Sequence, residues 1–252
     1  MNRRDSLECP DIWKSRSGTF YFDLFFEPLI EWGLKHFNPP LKAHTLLLDL
    51  GCGGGDKTDI FRTAGAYAVG IDISSEAVEY ARQTYPRTPF ITGDIQDLPF
   101  GGASFDFVFS HSVLQYVDWP QVIRECHRVM KPGAKAIFIE NLGGHPLARS
   151  YRLIHRCLRW KYMAHRTPRS HLTLSQCGAF HDVFSRVEVK AFHLTTPVLL
   201  TLPAIMHGLL GSSMRLHQER TFRFLNRLDT WLLARLPHLD KYGWIAVIRA
   251  TK

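Results

Sequence analysis

The sequence lacks a long uninterrupted apolar run and lacks paired cysteines, and both absences narrow what the chain can be. Its longest apolar stretch, Val198 to Leu210, is broken by Thr201, Pro203, His207 and Gly208. It is too short and too interrupted to span a bilayer. The N-terminal residues include Arg3 and Arg4 but then Asp5, Glu8 and Asp11, with no apolar core of signal-peptide length. Five cysteines (Cys9, Cys52, Cys126, Cys157 and Cys177) are odd in number, widely spread and without a C-x-x-C pair. They suggest neither a disulfide framework nor a zinc site, and the histidines show no metal-ligand spacing. Internal repeats and low-complexity tracts are missing too. Together these absences predict a protein of the reducing cytoplasm that binds no metal.

Against that background, glycine is concentrated at one informative point. Leu46-Leu-Leu-Asp-Leu-Gly-Cys-Gly-Gly-Gly55 reads as a buried strand entering a glycine turn. Leu46, Leu47, Leu48 and Leu50 form the non-alternating apolar run expected of a parallel strand covered on both faces. The turn glycines permit positive φ and close approach of a ligand to the backbone. Such a turn offers bare amides and a helix N-terminus to a small polar molecule, with Asp56 placed to cap the helix. One helix and one strand later, Val69-Gly-Ile-Asp-Ile73 puts Asp72 where a strand ends, and a carboxylate there can accept both hydroxyls of a ribose. A nucleoside-containing cofactor is therefore expected. The dinucleotide pattern G-x-G-x-x-G fails at its third glycine, which is Asp56 here. An anion beside a pyrophosphate argues against NAD.

Four segments in consistent order carry a family resemblance across roughly residues 45 to 140. They are Asp49-Leu-Gly-Cys-Gly53, Gly93-Asp-Ile-Gln-Asp-Leu-Pro-Phe100, Ser104-Phe-Asp-Phe-Val-Phe-Ser-His-Ser-Val-Leu-Gln-Tyr-Val117 and Arg128-Val-Met-Lys-Pro-Gly-Ala134. This core resembles class I S-adenosylmethionine (SAM)-dependent methyltransferases, the group that includes the ubiquinone and menaquinone biosynthesis enzymes. Two positions depart from the family pattern. Ala134 replaces a second glycine, and Gln115-Tyr116 stands where many relatives carry histidine. The resemblance implies SAM as cofactor and a Rossmann-like, mainly parallel seven-stranded α/β sheet. Its last strand would be antiparallel, with helices on both faces and helical cap insertions added.

The resemblance also assigns roles residue by residue. Asp72 would accept the ribose hydroxyls, with Ile73 beside it. Gly51, Cys52 and Gly53 would form the cofactor turn, and Asp49 would bind either the turn amides or the cofactor's ammonium. Asp94 and the Ile95 backbone would meet the adenine, with Gln96 assisting. Ser110 and His111 close the fourth strand, which faces the transferred methyl in relatives. His111 is the catalytic-base candidate because histidine titrates near neutrality, its bland alternative being a wall residue; Glu140 and Asn141 stand second. Tyr21 is a candidate donor to the methionine carboxylate.

The strand and helix pattern predicts strands near 45–50, 66–72, 89–93, 105–110 and 134–140, and helices over 57–64, 75–84 and 120–130. Phe184 to Leu194 alternates as a further strand, and Trp244 to Ala250 forms the last. One domain is expected over residues 1–252. Residues 1–40 would be lid helices across the sheet's mouth, residues 45–140 the cofactor core, and residues 141–169 and 195–242 a helical cap. Charge divides unevenly along this plan. Residues 1–140 hold 14 Lys/Arg and 18 Asp/Glu, whereas residues 141–252 hold 17 and 5. Arg149, Arg152, Arg156 and Arg159 recur at helical spacing among Tyr151, Leu153, Ile154, Leu158 and Trp160. That basic helix over 149–160 is a solvated face, a grip for an anionic substrate, or a contact with a membrane surface. The leading expectation is methylation of a small-molecule or lipid-like acceptor, with no DNA partner. An RNA methyltransferase and a non-catalytic SAM-binding protein are the alternatives.

Overall fold

A computed structural model describes Leu29, Trp32, Gly33 and residues 45–147, 149–150, 170–199 and 218–252. Seven strands form one sheet in the order β3-β2-β1-β4-β5-β7-β6. Their ranges are β1 Leu46–Leu50, β2 Tyr67–Asp72, β3 Phe90–Thr92, β4 Phe105–His111, β5 Met130–Asn141, β6 Arg186–Phe192 and β7 Ile245–Thr251. β1 pairs in parallel with β2 and with β4, β2 with β3, and β4 with β5. β7 runs antiparallel between β5 and β6. The expected mainly parallel sheet with an antiparallel last strand is the one observed, and every predicted strand is present.

Helices α1 (Asp56–Thr63), α2 (Ser75–Thr84), α3 (Trp119–Val129) and α4 (Gln218–Arg235) complete the described framework. Ser74 caps α2, its hydroxyl accepting from the Ala77 amide at 3.2 Å. α3 buries Val122, Ile123, Cys126 and Val129, a stripe at helical spacing, and carries a proline in its first turn where no amide partner is needed. At α1 the expectation needs correction. Gly55, in the left-handed region at φ 84°, is the cap, and Asp56 is the first helical residue, without a side-chain cap bond. A carboxylate in that first turn still favours the helix through its dipole.

The two sheet faces are covered separately. One face packs Leu48, Leu50, Val108, Ala136 and Phe138 against α3 and against a 3-10 turn, Gln176–Asp182. That turn, and not an α-helix, precedes β6, and Phe180 within it stacks on Trp119 at 5.9 Å. The other face packs Leu47, Phe107, Phe109, Ile137 and Ile139 against Phe61 of α1 and against Leu29. Trp32 lies on this second face, edge-on to Phe192 at 5.9 Å and under the Arg249 guanidinium at 4.1 Å. Leu29 and Trp32 thus pack on a sheet face. Apart from these two and Gly33, residues 1–40 fall outside the described residues.

α4 belongs to the C-terminal end of the parallel strands. Asp229, buried on its inner side, accepts from the amides of Leu194, Thr195 and Thr196 and from both threonine hydroxyls, at 2.7 to 3.3 Å. One carboxylate therefore ties the helix to the chain leaving β6. A second tie runs from the other insertion, where His145 Nε2 hydrogen-bonds the Leu194 carbonyl at 2.9 Å. Leu142 forms a bridge with Leu172, and its amide donates to the Trp244 carbonyl at 2.7 Å.

Candidate functional site

The ends of β1, β2, β4 and β5 converge at one edge, where ligands bind in open α/β sheets. After β1 the chain turns through Gly51 and Gly53, both at positive φ. Gly51 has no room for a side chain, since a Cβ there would lie 2.4 Å from a Val113 methyl. The turn after β1 and the turn after β4 are therefore packed in contact, and only glycine satisfies both the backbone angle and the clearance.

The amides of this turn are less bare than its sequence suggests. Gly51 and Cys52 both donate to the Ile71 carbonyl, at 2.7 and 3.1 Å, and Gly55 donates to Cys52. Gly53 donates to Asp72 Oδ2 at 2.9 Å. These bonds bind the turn to β2, so the amides of Gly51, Cys52 and Gly53 are committed to protein acceptors. The Cys52 side chain packs with Val78, Ala81 and Phe90.

Asp72 is the junction of the site. One oxygen holds the turn through Gly53, and the other accepts from the Ser74 amide at 2.8 Å. A carboxylate has about four lone-pair positions, so two such bonds leave acceptor capacity on both oxygens. Immediately beside it, Ile73 is 68% exposed, an apolar side chain standing out at the edge. Asp49 sits one layer deeper, accepting from the Thr58 hydroxyl at 2.5 Å. Burial pushes its pKa up to about 7, opposed by that hydroxyl and by Lys57.

Across the edge, the Asp94 carboxylate accepts from the Gln96 amide at 2.9 Å. The Gln96 side chain bonds to Asp94 and to the Asp118 amide at 3.0 Å, bracing this loop against the start of α3. Ile95 is buried in the core beneath. The Gln96 side chain is thus occupied in holding the loop, and the Asp94 carboxylate keeps one unused lone-pair position, on Oδ2.

Ser110 and His111 end β4 as expected, on opposite faces. Ser110 is fully buried and its hydroxyl has no hydrogen-bond partner. His111 has its pKa held well below the usual imidazole value by burial, with the nearby Lys57 ammonium adding to the effect. Its affinity for a proton is weakened accordingly.

Glu140 has a role its sequence does not advertise. One oxygen accepts from the Val113 and Leu114 amides, at 3.0 and 3.1 Å, fixing the turn after β4. The other oxygen is buried without a partner, and burial raises the pKa to about 8. Asn141 reaches the Ser112 hydroxyl in the same turn at 3.2 Å. No spacing signal marks a carboxylate that binds amides 26 residues away. Tyr21 lies outside the described residues, as does most of the basic segment 149–160.

Comparison with known proteins agrees with this geometry. Residues 48–138 match the family model described as a methyltransferase domain. The chain is 38% identical over 112 residues to the biotin biosynthesis bifunctional protein BioHC of Cellvibrio japonicus, covering 44% of this chain and 22% of that protein. It is 36% identical over 93 residues to the malonyl-[acyl-carrier protein] O-methyltransferase of Erwinia pyrifoliae, covering 36% of each. The matched region thus spans well under half the length of these curated relatives. Among solved structures, the fold is similar to phosphoethanolamine N-methyltransferase 2 of Haemonchus contortus in complex with SAM. That similarity has a TM-score of 0.59 at 18% identity, over 96% of this chain and 58% of the other. It is also similar to a SAM-dependent methyltransferase of Mesorhizobium loti, with a TM-score of 0.57 at 20% identity over 90% and 97%. The fold is that of the SAM-dependent methyltransferases. Residues 48–138 are the part that matches the methyltransferase domain model.

Proposed function

We propose that this protein is an enzyme that transfers a methyl group from SAM to a small-molecule or lipid-like acceptor. The observation that carries the reading is Asp72, a carboxylate that joins the glycine turn to the end of β2 and retains acceptor capacity on both oxygens. Three further features fit the cofactor. Ile73 supplies an apolar ledge next to the carboxylate for an adenine ring. The turn at Gly51 admits no side chain into the edge. The unpartnered hydroxyl of Ser110 provides a buried polar atom at the end of β4.

In this reading Asp72 holds the ribose hydroxyls, Asp94 and the Ile95 backbone meet the adenine, and Asp49 lies nearest the amino-acid end. SAM supplies a methyl group on a cationic sulfur. The chain's own part is then mostly orientation, which contributes up to ~7–11 kcal/mol in favourable cases. His111 accepts a proton if the acceptor atom carries one. The turn it borders is held by Glu140 and Asn141, so its position is fixed by β5 as well as by β4.

Incubation with SAM labelled in its methyl group, followed by separation of a cell extract, tests the acceptor class. Label is expected in organic-extractable or small-molecule fractions. Label confined to RNA would replace this reading with the nucleic-acid one.

A further inference from the structure

α4 presents a single exposed stripe that the methyl-transfer reading does not use. Arg220, Phe224, Arg227, Trp231 and Arg235 follow one another at intervals of four, three, four and four, so they share one face of the helix. Phe222 and Asp229 occupy the opposite face, and both are buried against the protein. The orientation of the helix is therefore fixed from within, by the Asp229 bonds to Leu194, Thr195 and Thr196.

The stripe is unusual in what it exposes. Phe224 is 66% exposed and Trp231 is 52% exposed. With Tyr242, which follows in the 3-10 turn Pro237–Tyr242, they make up three of the five exposed large aromatic residues among those described. Cations accompany the rings: the Arg235 guanidinium lies 5.3 Å from the Trp231 ring and Lys241 Nζ lies 5.0 Å from the Tyr242 ring. The stripe contains no acidic residue. A face meant only for water gains nothing from two large exposed aromatics one heptad apart.

We infer that α4 docks the protein on an anionic lipid surface, with Phe224 and Trp231 entering the headgroup boundary and Arg220, Arg227 and Arg235 meeting lipid phosphates. The pattern is that of an interfacial helix, aromatic in the middle and cationic around it. Arginine suits the flanks because its long stem lies along apolar surface while its head reaches phosphate. Each cation near an anionic surface adds to the attraction, and the surplus of Lys/Arg in residues 141–252 acts in the same direction. A soluble acidic protein would satisfy the arginines but leaves the aromatic pair unexplained. Position supports the choice as well. α4 is tied to the chain leaving β6, at the cofactor end of the sheet, so docking there brings an apolar acceptor in the bilayer toward the site. The surface does not depend on the methyl-transfer reading and is tested separately from it.

The test is flotation of the full chain with phosphatidylcholine vesicles, with and without roughly a third phosphatidylglycerol, at low and high salt. Binding to the anionic vesicles alone, weakened by salt, is expected. The double variant Phe224→Ser/Trp231→Ser is expected to lose it by about tenfold or more, with an unchanged circular-dichroism spectrum and melting temperature as the check on folding. Absence of vesicle binding by the folded wild type overturns the inference. So does equal binding by the aromatic variant, or competition by soluble polyglutamate as effective as competition by anionic vesicles. Either of the last two outcomes identifies a general polyanion surface of the kind an acidic protein would use.

Discussion

At the scale of single residues, the proposed site depends on carboxylates that each have an observed structural task and a proposed chemical one. Asp72 closes the glycine turn and is left with lone pairs for a ligand. Hydrogen bonds to a charged acceptor contribute roughly 1.5–3 kcal/mol. Asp72→Ala is expected to weaken S-adenosylhomocysteine binding by about 10- to 100-fold in a titration. Gly51→Ala places a Cβ 2.4 Å from Val113 at a φ of +65°, and a non-glycine residue in the left-handed region costs about 1–2 kcal/mol before any clash. Its melting temperature is expected to fall, with loss of cofactor affinity measured on the material that remains folded. Glu140 makes a prediction in pH. Its folded value of about 8 lies above the ordinary 4.5, so the native state keeps a proton that the unfolded chain has already released. That contribution to stability is full below about 4.5, declines as pH rises above it, and is gone once pH passes about 8. Melting curves of wild type and Glu140→Gln between pH 5 and 9 are expected to diverge, the wild type losing stability with rising pH more steeply. Parallel pH profiles would show that Glu140 is already ionised at pH 5.

At the scale of elements, local chemistry made much of the fold readable. The leucine run of β1 and the helices over 57–64, 75–84 and 120–130 rest on short-range signals, and each appears where its pattern puts it. The residues that lock elements together were not readable, because they act across long separations. Asp229 in α4 binds a turn more than 30 residues earlier, and Glu140 in β5 binds the turn after β4. Nothing in spacing or periodicity announces either. The amides of Gly51 and Cys52 were misread for a related reason: their partner is the Ile71 carbonyl of the neighbouring strand, and pairing between strands is a tertiary fact. Similarly, the alternation of β6 was visible, but the 3-10 turn before it carries no amphipathic signal of its own. The Asp229 tie has a measurable consequence. Asp229→Ala removes a buried acceptor from three amides and two hydroxyls, and is expected to cost about 2–4 kcal/mol. Hydrogen exchange is expected to accelerate in residues 218–235 while the sheet core stays protected. Uniform acceleration throughout would mean that α4 folds as part of the core and is not held by that clamp.

At the scale of the whole molecule, the two proposed functions are divided along the chain. The acidic first part of the chain contains the residues that match a methyltransferase domain, and the basic second part contributes α4, with its exposed aromatic stripe. Both meet at the C-terminal ends of the parallel strands, where α4 and the segment after β5 are tied to the chain leaving β6. Removal of residues 200–240 is accordingly expected to abolish methylation of the fraction that accepts label and to spare cofactor affinity, as measured by turnover and titration on the same preparation. The central claim is that the β1 turn and the β2 carboxylate together hold the adenosyl portion of SAM. Isothermal titration of the folded wild type with S-adenosylhomocysteine tests it most directly, with Asp72→Ala measured alongside. Saturable heat at one site, lost or shifted at least tenfold in the variant, is the predicted result. No heat with the wild type, or equal affinity in the variant, would contradict it.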